Sequence, residues 1–455
     1  MSKILGLHTS HHGCMTYVVN NEIIFHTQLD RYNKIKTSSY VSREATKIIE
    51  QIEFDTVIFT GLSHSSSIHD WNYYFHYGNK IIRDKIKKAK IITSFNRHHI
   101  YHAYCALTWN KNYSNIIVID GMGSVKNGVD EMESFYKFEK KLRHISTSNN
   151  GFGKKYEQET EKIFNLWRQE GKMMAYALHN DQAYLVQKQF EKQTLKFLNS
   201  LSLQGKFILT GGCAQNVKNN YELLKVYDVF ADPFNGDFGI SLGAINYLLE
   251  NKLKIKSIYL GISQDLDLDI FKDFKVKDTT HDEVAKILIK DPVAIFQSRS
   301  EQGQRGLGNR SLLANANCEK SVNKITDIKK REYYRPFACS ILQEEAKHWF
   351  KMNIEESPYM MYLFDIKQDK KPYFKMGLAK DDTCRIQTVK DKDNLHYYNL
   401  INSFYQQTKL PFVVNTSLNL PGEVLVETMY DLRLFLKNSS LNYAYLPEIN
   451  KLITK

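Results

Sequence analysis

The chain has 455 residues, 42% of them hydrophobic and 25% charged, with a formal net charge of +12. That length exceeds what one hydrophobic core usually serves, so two domains are expected, and the composition is that of an ordinary globular protein. No apolar run reaches the roughly 18–20 residues of a membrane span, which excludes a membrane-spanning helix.

The opening residues Met1-Ser2-Lys3-Ile4-Leu5-Gly6 enter a strand at once and lack the pattern of a secretory leader. The six cysteines, Cys14, Cys105, Cys213, Cys318, Cys339 and Cys384, are scattered with no Cys-x-x-Cys pair. Reduced thiols in a cytoplasmic protein are expected, and a cysteine-based zinc site is not. The positive balance suits a nucleic-acid or nucleotide partner. It is largely lysine in a chain rich in Asn, Ile and Tyr, which AT-biased coding alone also produces.

Alternation predicts strands at 4–8, 14–19 and 22–28. A helix over 41–52 and a buried strand over 56–60 follow. His98 to Trp109 reads as a helix, Ile116 to Ile119 as a strand ending at Asp120, and Gln182 to Leu201 as a long amphipathic helix. Phe207 to Thr210 is a strand ending at Gly211-Gly212, and a helix after Gly239 runs to about Leu253. A second series carries strands at Val293–Phe296, Tyr362–Phe364 and Phe412–Val414. Strands alternating with helices indicate α/β architecture, divided near residues 252–260 into domains of 1–255 and 256–455.

Three strand ends carry glycine or small polar residues: Gly6 to Ser10, Asp120 to Ser124, and Thr210 to Cys213. Such turns let backbone N–H groups approach a phosphate, and Asp120 can hold a metal or its waters beside it. They also serve as plain tight turns. A P-loop and a Gly-x-Gly-x-x-Gly fingerprint are both absent. His98 and His102 stand four apart, so on a helix they share one face and can grip one ion. A surface pair is the bland alternative. Asp237, in a glycine-flanked turn, would complete a two-His, one-carboxylate set suited to Fe(II), Zn or Mn.

The second half concentrates cations beside glycines and aromatics: Arg299, Arg305 and Arg310, then Lys329 to Arg335 with Tyr333 and Tyr334. Guanidinium forks bind phosphate or carboxylate at two points. Asn415-Thr416-Ser417-Leu418-Asn419 follows a strand and offers side-chain donors to an acyl phosphate. Arg385 is a further candidate anion contact. Structural ion pairs and polar turns are the competing explanation.

These motifs resemble the O-carbamoyltransferases that modify nodulation factors, cephalosporins and aminoglycosides, over nearly the whole chain. The matching segments are Ile4 to Leu7 with His11, His98 to Ala103, Glu170 to Met174, Gly211 to Asn216, Asp237 to Gly239, Gly303 to Ser311, Lys329 to Phe337, and Asn415 to Asn419. The resemblance implies an actin-like ATPase (ribonuclease-H-like) N-terminal domain similar to tRNA threonylcarbamoyl transferases. It implies an α/β C-terminal domain similar to threonylcarbamoyl-AMP synthases, which makes a carbamoyl adenylate from carbamoyl phosphate and ATP. By position Arg305, Lys329, Arg335, Arg385, Asn415 and Ser417 would line that site, with Arg305, Lys329 and Arg335 catalytic. Asp120, Gly211, Gly212 and Asn216 would attend the nucleotide and its Mg. His98, His102 and Asp237 would hold a divalent metal, iron first, with zinc or manganese as alternatives. His11 would act as general base or orient the acceptor.

The chain departs from the family in three places. His12 stands where an aspartate is usual, the segment between Leu178 and Asp181 is short where a long insertion is common, and Gly306 replaces an alanine. The short segment and the positive charge point to an open acceptor face and a polyanionic acceptor. The favoured acceptor is a hydroxymethylpyrimidine such as 5-hydroxymethylcytosine in DNA, or its nucleotide, whose base would be flipped out of a duplex. A small sugar-like or antibiotic-like hydroxyl is the alternative. An actin-like sugar kinase, a regulatory ATPase and a binding protein stand as other classes. A homo-oligomer stays open.

Overall fold

The computed structural model describes residues 2–61, 80–94, 96–126, 128–201, 203, 205–374 and 379–455. The chain divides into two compact units. The first holds Met1–Glu170, Val186–Ile262 and Gln302–Gln304, and the second holds Gly171–Leu185, Ser263–Glu301 and Arg305–Lys455. The main crossing therefore falls after Ile262, and the segment 171–185 belongs with the second unit although it lies early in the sequence.

The first unit is built twice over. Strands β1 (Lys3–His8), β2 (Cys14–Val19), β3 (Glu22–Gln28), β4 (Thr56–Thr60) and β5 (Lys90–Ser94) form a sheet in the order β3-β2-β1-β4-β5. There β1 is antiparallel to β2 and parallel to β4. After β6 (Asn115–Ile119) comes a small hairpin, β7 (Val125–Lys126) and β8 (Val129–Asp130). Strands β9 (Glu133–Phe138), β10 (Leu142–Ser148), β11 (Lys206–Thr210) and β12 (Asp228–Ala231) then complete a second sheet, β10-β9-β6-β11-β12. Again the first strand is central, antiparallel to the meander on one side and parallel to the crossover strand on the other. The two sheets thus repeat one strand order, the duplicated ribonuclease-H-like plan that the resemblance implies. The parallel strands read as apolar runs because both faces are covered: Val57, Ile58 and Phe59, and likewise Ile116 to Ile119, are buried.

The helix His98–Leu107 sits against the helix Ile240–Leu248. Gly243 permits the approach, since a Cβ there would lie 2.0 Å from the carbonyl oxygen of Tyr101. Gly6 of β1 does the same on the other side of Ile240–Leu248, where a Cβ would meet the Ser241 carbonyl at 2.9 Å. Ser241 in turn contacts Cys14 Sγ at 3.0 Å and Thr16 Oγ1 at 2.7 Å. One helix is thereby fixed against β1, β2 and the histidine helix together.

The second unit carries one ten-stranded mixed sheet. Its strands are β13 (Lys275–Asp278), β14 (Val293–Phe296), β15 (Arg310–Ala314), β16 (Ala338–Leu342), β17 (Phe350–Lys351), β18 (Leu363–Ile366), β19 (Thr383–Val389), β20 (Phe412–Ser417), β21 (Tyr443–Leu446) and β22 (Lys451–Thr454). The order is β13-β22-β21-β14-β15-β20-β16-β19-β18-β17. The middle of the sheet brings Asn415 of β20 opposite Leu313 of β15 and Ala338 of β16, with β19 and its Arg385 next in line. Capping boxes start two flanking helices, Thr280 with Glu283 and Thr428 with Asp431. Among the described residues no helix is long and apolar enough to cross a membrane.

Candidate functional site

In the first unit four side chains from three separate segments meet. His98 and His102 come from one helix face, Asp120 from the end of β6, and Asp237 from the turn before Ile240–Leu248. One ligand atom from each lies within 4.8 Å of all the others. His98 Nε2 stands 3.4 Å from Asp120 Oδ2 and 3.3 Å from Asp237 Oδ1. His102 Nε2 stands 3.0 Å and 3.5 Å from the same two oxygens. His102 is fully buried and Asp237 is nearly so.

The donor set fits a divalent ion. Two imidazole nitrogens and two carboxylates suit iron, zinc or manganese. Ligands about 2.1 Å from one ion are about 3.0–3.4 Å apart around it, close to the 3.0–3.5 Å His–Asp spacings here. Burial pushes the acidity constant of His98 down, yet the carboxylates of Asp237 and Asp120 outweigh it and hold the imidazole up at about 10. Burial raises Asp237, and the charges and hydrogen bonds of His98, His102 and His11 more than reverse that. Without a cation, then, the centre keeps its carboxylates ionised only by protonating its own ligands; an ion can take over that role.

His11 reaches the same carboxylate. Its Nε2 lies 2.9 Å from Asp237 Oδ2, while its side chain remains 56% exposed. The hydrogen bond and charge of Asp237 raise its acidity constant. His8 is buried 3.9 Å from Asp237 Oδ2, holds Thr60 through Nδ1 at 3.0 Å, and is pushed down to about 3 by burial. His12 adopts positive φ, 57°, and burial lowers it to about 4. His99, on the far side of the helix, is fully buried with Nδ1 2.8 Å from Ser134 Oγ. The histidine-rich segments thus separate into groups facing carboxylates and neutral groups used in packing.

Two of the phosphate-loop candidates, Asp120 to Ser124 and Thr210 to Cys213, meet at Asp120. Its Oδ1 accepts from the Gly121 N–H at 2.7 Å. Gly211 has φ +85°, and a Cβ would sit 2.4 Å from the Ile119 carbonyl oxygen, so the turn after β11 requires glycine. At Gly212 a Cβ would lie 3.0 Å from Asp120 Oδ1. Asn216 is nearly buried and already engaged: it caps the helix Val217–Leu224 by accepting from Asn219 N and pairs with Gln187 through both amide atoms at 3.1 Å.

In the second unit the cations picked out by the sequence form a cluster. Burial, followed by the charges of Arg385, Arg335 and Arg331, disfavours the charge on Arg305. Arg331 is brought down to about 9 by burial and by Arg335 and Arg385. Arg385 is brought down to about 10 by burial and by Arg335, against an opposing contribution from Cys384. A guanidinium does not shed its proton near neutrality, so this group of residues concentrates positive charge. Arg331 is the member that the sequence does not single out; its neighbours in the Lys329–Arg335 run are the only signal. Lys329 Nζ donates to Ser417 O at 2.9 Å and to Asn419 O and Oδ1 at 2.7 and 2.6 Å. It ties down the loop after β20. Asn415 Nδ2 donates to Gly306 O at 3.2 Å and Ser340 Oγ at 2.9 Å, and its Oδ1 has no partner among the described residues. Arg310, from the same motif, is fully buried over the Phe296 ring at 3.7 Å, donating to Gln297 O, Asn309 O and Ser298 O, and serves the core.

Residues 284–453 match the model of the carbamoyltransferase C-terminus family. The chain is 26% identical to an uncharacterized protein of Methanocaldococcus jannaschii, over 93% of this chain and 94% of that one. It is 30% identical to the nodulation protein NolNO of Sinorhizobium fredii over 56% of this chain and 41% of the relative. It is also 30% identical to the 3'-hydroxymethylcephem-O-carbamoyltransferase of Amycolatopsis lactamdurans, over 51% of this chain and 46% of the relative. The match thus takes in less than half the length of either of these two proteins.

Proposed function

We propose that the chain is an O-carbamoyltransferase, as the match of residues 284–453 to the carbamoyltransferase C-terminus family supports, and that it moves a carbamoyl group from carbamoyl phosphate, by way of carbamoyl adenylate, onto an acceptor hydroxyl. The observation that carries the reading is the convergence of His98, His102, Asp120 and Asp237 beside His11. The arginine cluster of the second unit supports the other half of the chemistry, since both co-substrates arrive as phosphates.

In the second unit carbamoyl phosphate loses its phosphate to water. The carbamate oxygen then attacks the α-phosphorus of ATP and pyrophosphate leaves. Arg305, Arg331, Arg335 and Arg385 bind these oxygens, Lys329 holds the Ser417–Asn419 loop in shape, and Asn415 presents its amide from the sheet. Mg accompanies ATP. In the first unit the acceptor oxygen attacks the carbamoyl carbon, the bond to AMP breaks, and the hydroxyl proton passes to a base. His11 suits that base: its Nε2 is oriented by Asp237 and its ring is open to solvent. His98, His102, Asp120 and Asp237 would hold a divalent metal, iron being the expected ion, and that metal would supply Lewis-acid chemistry at the carbamoyl carbonyl. His8, buried and neutral, lies against the inner face of Asp237.

The favoured acceptor is a hydroxymethylpyrimidine in DNA or its nucleotide. The net charge of +12 and the two-residue link between Leu178 and Asp181 support it. The cephem relative is named for a hydroxymethyl group on a ring, the same reacting unit. That name equally favours the second reading, a small antibiotic-like hydroxyl. The proposed setting is the cytoplasm, where the free thiols stay reduced. The test is incubation of the full chain with ATP, carbamoyl phosphate and hydroxymethylcytosine DNA or nucleotide, read by mass and by nucleotide products. AMP and pyrophosphate released only with carbamoyl phosphate, together with a carbamoylated base, support the reading. Release of ADP supports a kinase instead, and active enzyme that leaves hydroxymethylcytosine unmodified eliminates that acceptor.

A further inference from the structure

The second unit exposes an aromatic group that the proposed chemistry leaves unused. Two segments far apart in sequence build it: Tyr176 and His179 from 171–185, and Tyr333 with Tyr334 from the Lys329–Arg335 run. Tyr334 lies 5.0 Å from Tyr176 and 6.2 Å from His179, centroid to centroid. Tyr333 stands edge-on to both Tyr334, at 5.5 Å, and His179, at 5.7 Å. Such spacings are those of interacting rings. Tyr333 is nevertheless 86% exposed, so its ring is held from below while a broad face meets water.

The charges beside it are also fixed. Glu332 is clamped between Lys172 Nζ at 2.6 Å and Arg335 Nη1 at 3.2 Å. Lys172 belongs to the segment that supplies Tyr176 and His179, so one ion pair and one ring cluster join the same two stretches of chain. The charge of Arg335 acts both on Tyr334 of the ring cluster and on Arg305, Arg331 and Arg385. A single exposed tyrosine is ordinary on a protein surface. A supported tyrosine next to a guanidinium cluster offers a flat ring one surface and a phosphate another, the combination that nucleotides require.

We propose that Tyr333, braced by Tyr334 and His179, is a stacking platform for the base of a nucleotide whose phosphate is held by Arg335. The inference rests on the nucleotide chemistry of the proposed function and adds a base-binding subsite to it. The ring could be brought by ATP or by an acceptor hydroxymethyl-dCMP; the two share base and phosphate and differ in which substrate occupies the platform. No covalent step is involved.

The test is equilibrium binding, without carbamoyl phosphate, of ATP alone and of 5-hydroxymethyl-dCMP alone to the full chain, Tyr333→Ala and Tyr333→Phe. Loss of one stacked base is worth on the order of tenfold in affinity. The expected result is a tenfold weakening of one nucleotide by Tyr333→Ala, full recovery with Tyr333→Phe, and unchanged binding of pyrophosphate, which has no ring. Weakening of ATP assigns the platform to the donor, and weakening of hydroxymethyl-dCMP assigns it to the acceptor. Equal binding of both nucleotides by the parent chain and Tyr333→Ala overturns the proposal, as does a parent chain that binds neither. A chain that stacks a nucleotide here but makes no AMP from carbamoyl phosphate keeps this inference and removes the carbamoyl reading.

Discussion

The Nε2 atoms of His98 and His102 face one another at 3.1 Å across one turn of helix. With the carboxylates of Asp120 and Asp237 on the open side, the pair is disposed as an ion-binding edge.

Metal content follows from that edge. The parent chain should carry about one divalent ion, and His102→Ala and Asp120→Asn should each lose it, as read by elemental analysis. An ion held at 100 times its dissociation constant contributes about 2.7 kcal/mol to stability. A chelator should therefore lower the melting temperature of the parent and leave both variants unmoved. Equal metal content in all three would remove the centre.

Gly243→Ala should be severe for a glycine change. Its methyl would lie 2.0 Å from the Tyr101 carbonyl, a clash with backbone that a rotamer change does not relieve. Overpacking of this kind costs about 1–3 kcal/mol. Urea unfolding should show that loss. Metal occupancy should fall too, because the displaced helix carries His98 and His102.

Arg305→Ala should separate stability from binding. Removing one of four mutually repelling guanidiniums is expected to raise the melting temperature in anion-free buffer. The stabilisation of the parent by added pyrophosphate should be lost, along with tenfold or more in affinity. A variant less stable than the parent in anion-free buffer would contradict the crowding argument.

Asp232 gives a pH dependence away from the ion-binding residues. It accepts hydrogen bonds at 2.8 Å from Trp109 Nε1, Thr210 Oγ1 and Phe234 N, yet burial raises its acidity constant to about 6. Between its ordinary value near 3.8 and about 6 the folded chain binds more protons than the unfolded one. Stability therefore falls as pH rises through that window, by about 3 kcal/mol for a two-unit shift. Asp232→Asn can keep its oxygen toward Trp109 and Phe234 and donate to the Thr210 hydroxyl. It should flatten this part of the profile in urea titrations from pH 4 to 7.

The parts of this molecule readable from sequence are those with a short period or a short motif. The strands ending at His8, Asp120 and Thr210 show as apolar runs bounded by polar turns, and the helix His98–Leu107 shows by its paired histidines. The meander Glu133–Ser148 does not. Its first strand buries Glu133 and Ser134 alongside Phe135 and Tyr136, which breaks the apolar alternation, and its second is half exposed with polar side chains. Glu133 is buried because it takes hydrogen bonds from Asn150 N and Gly151 N at the start of the next helix, a partnership of distant residues. Asp120 reads from sequence as a neighbour of phosphates rather than of the histidines for the same reason: spacing along the chain says nothing about which strand end faces which helix. His98 and His102 are legible because they stand four apart on one helix, and Asp237 because it sits in a glycine-flanked turn.

The early stretch 171–185 groups with the residues after 262, not with those around it. A gene cut at the main crossing would therefore leave the C-terminal fragment without Lys172, Tyr176 and His179, and so without the lysine partner of Glu332 and two of the rings around Tyr334. Fragment work on this chain has to carry a borrowed strap, or it will measure a weakened half and mistake the missing piece for a missing activity.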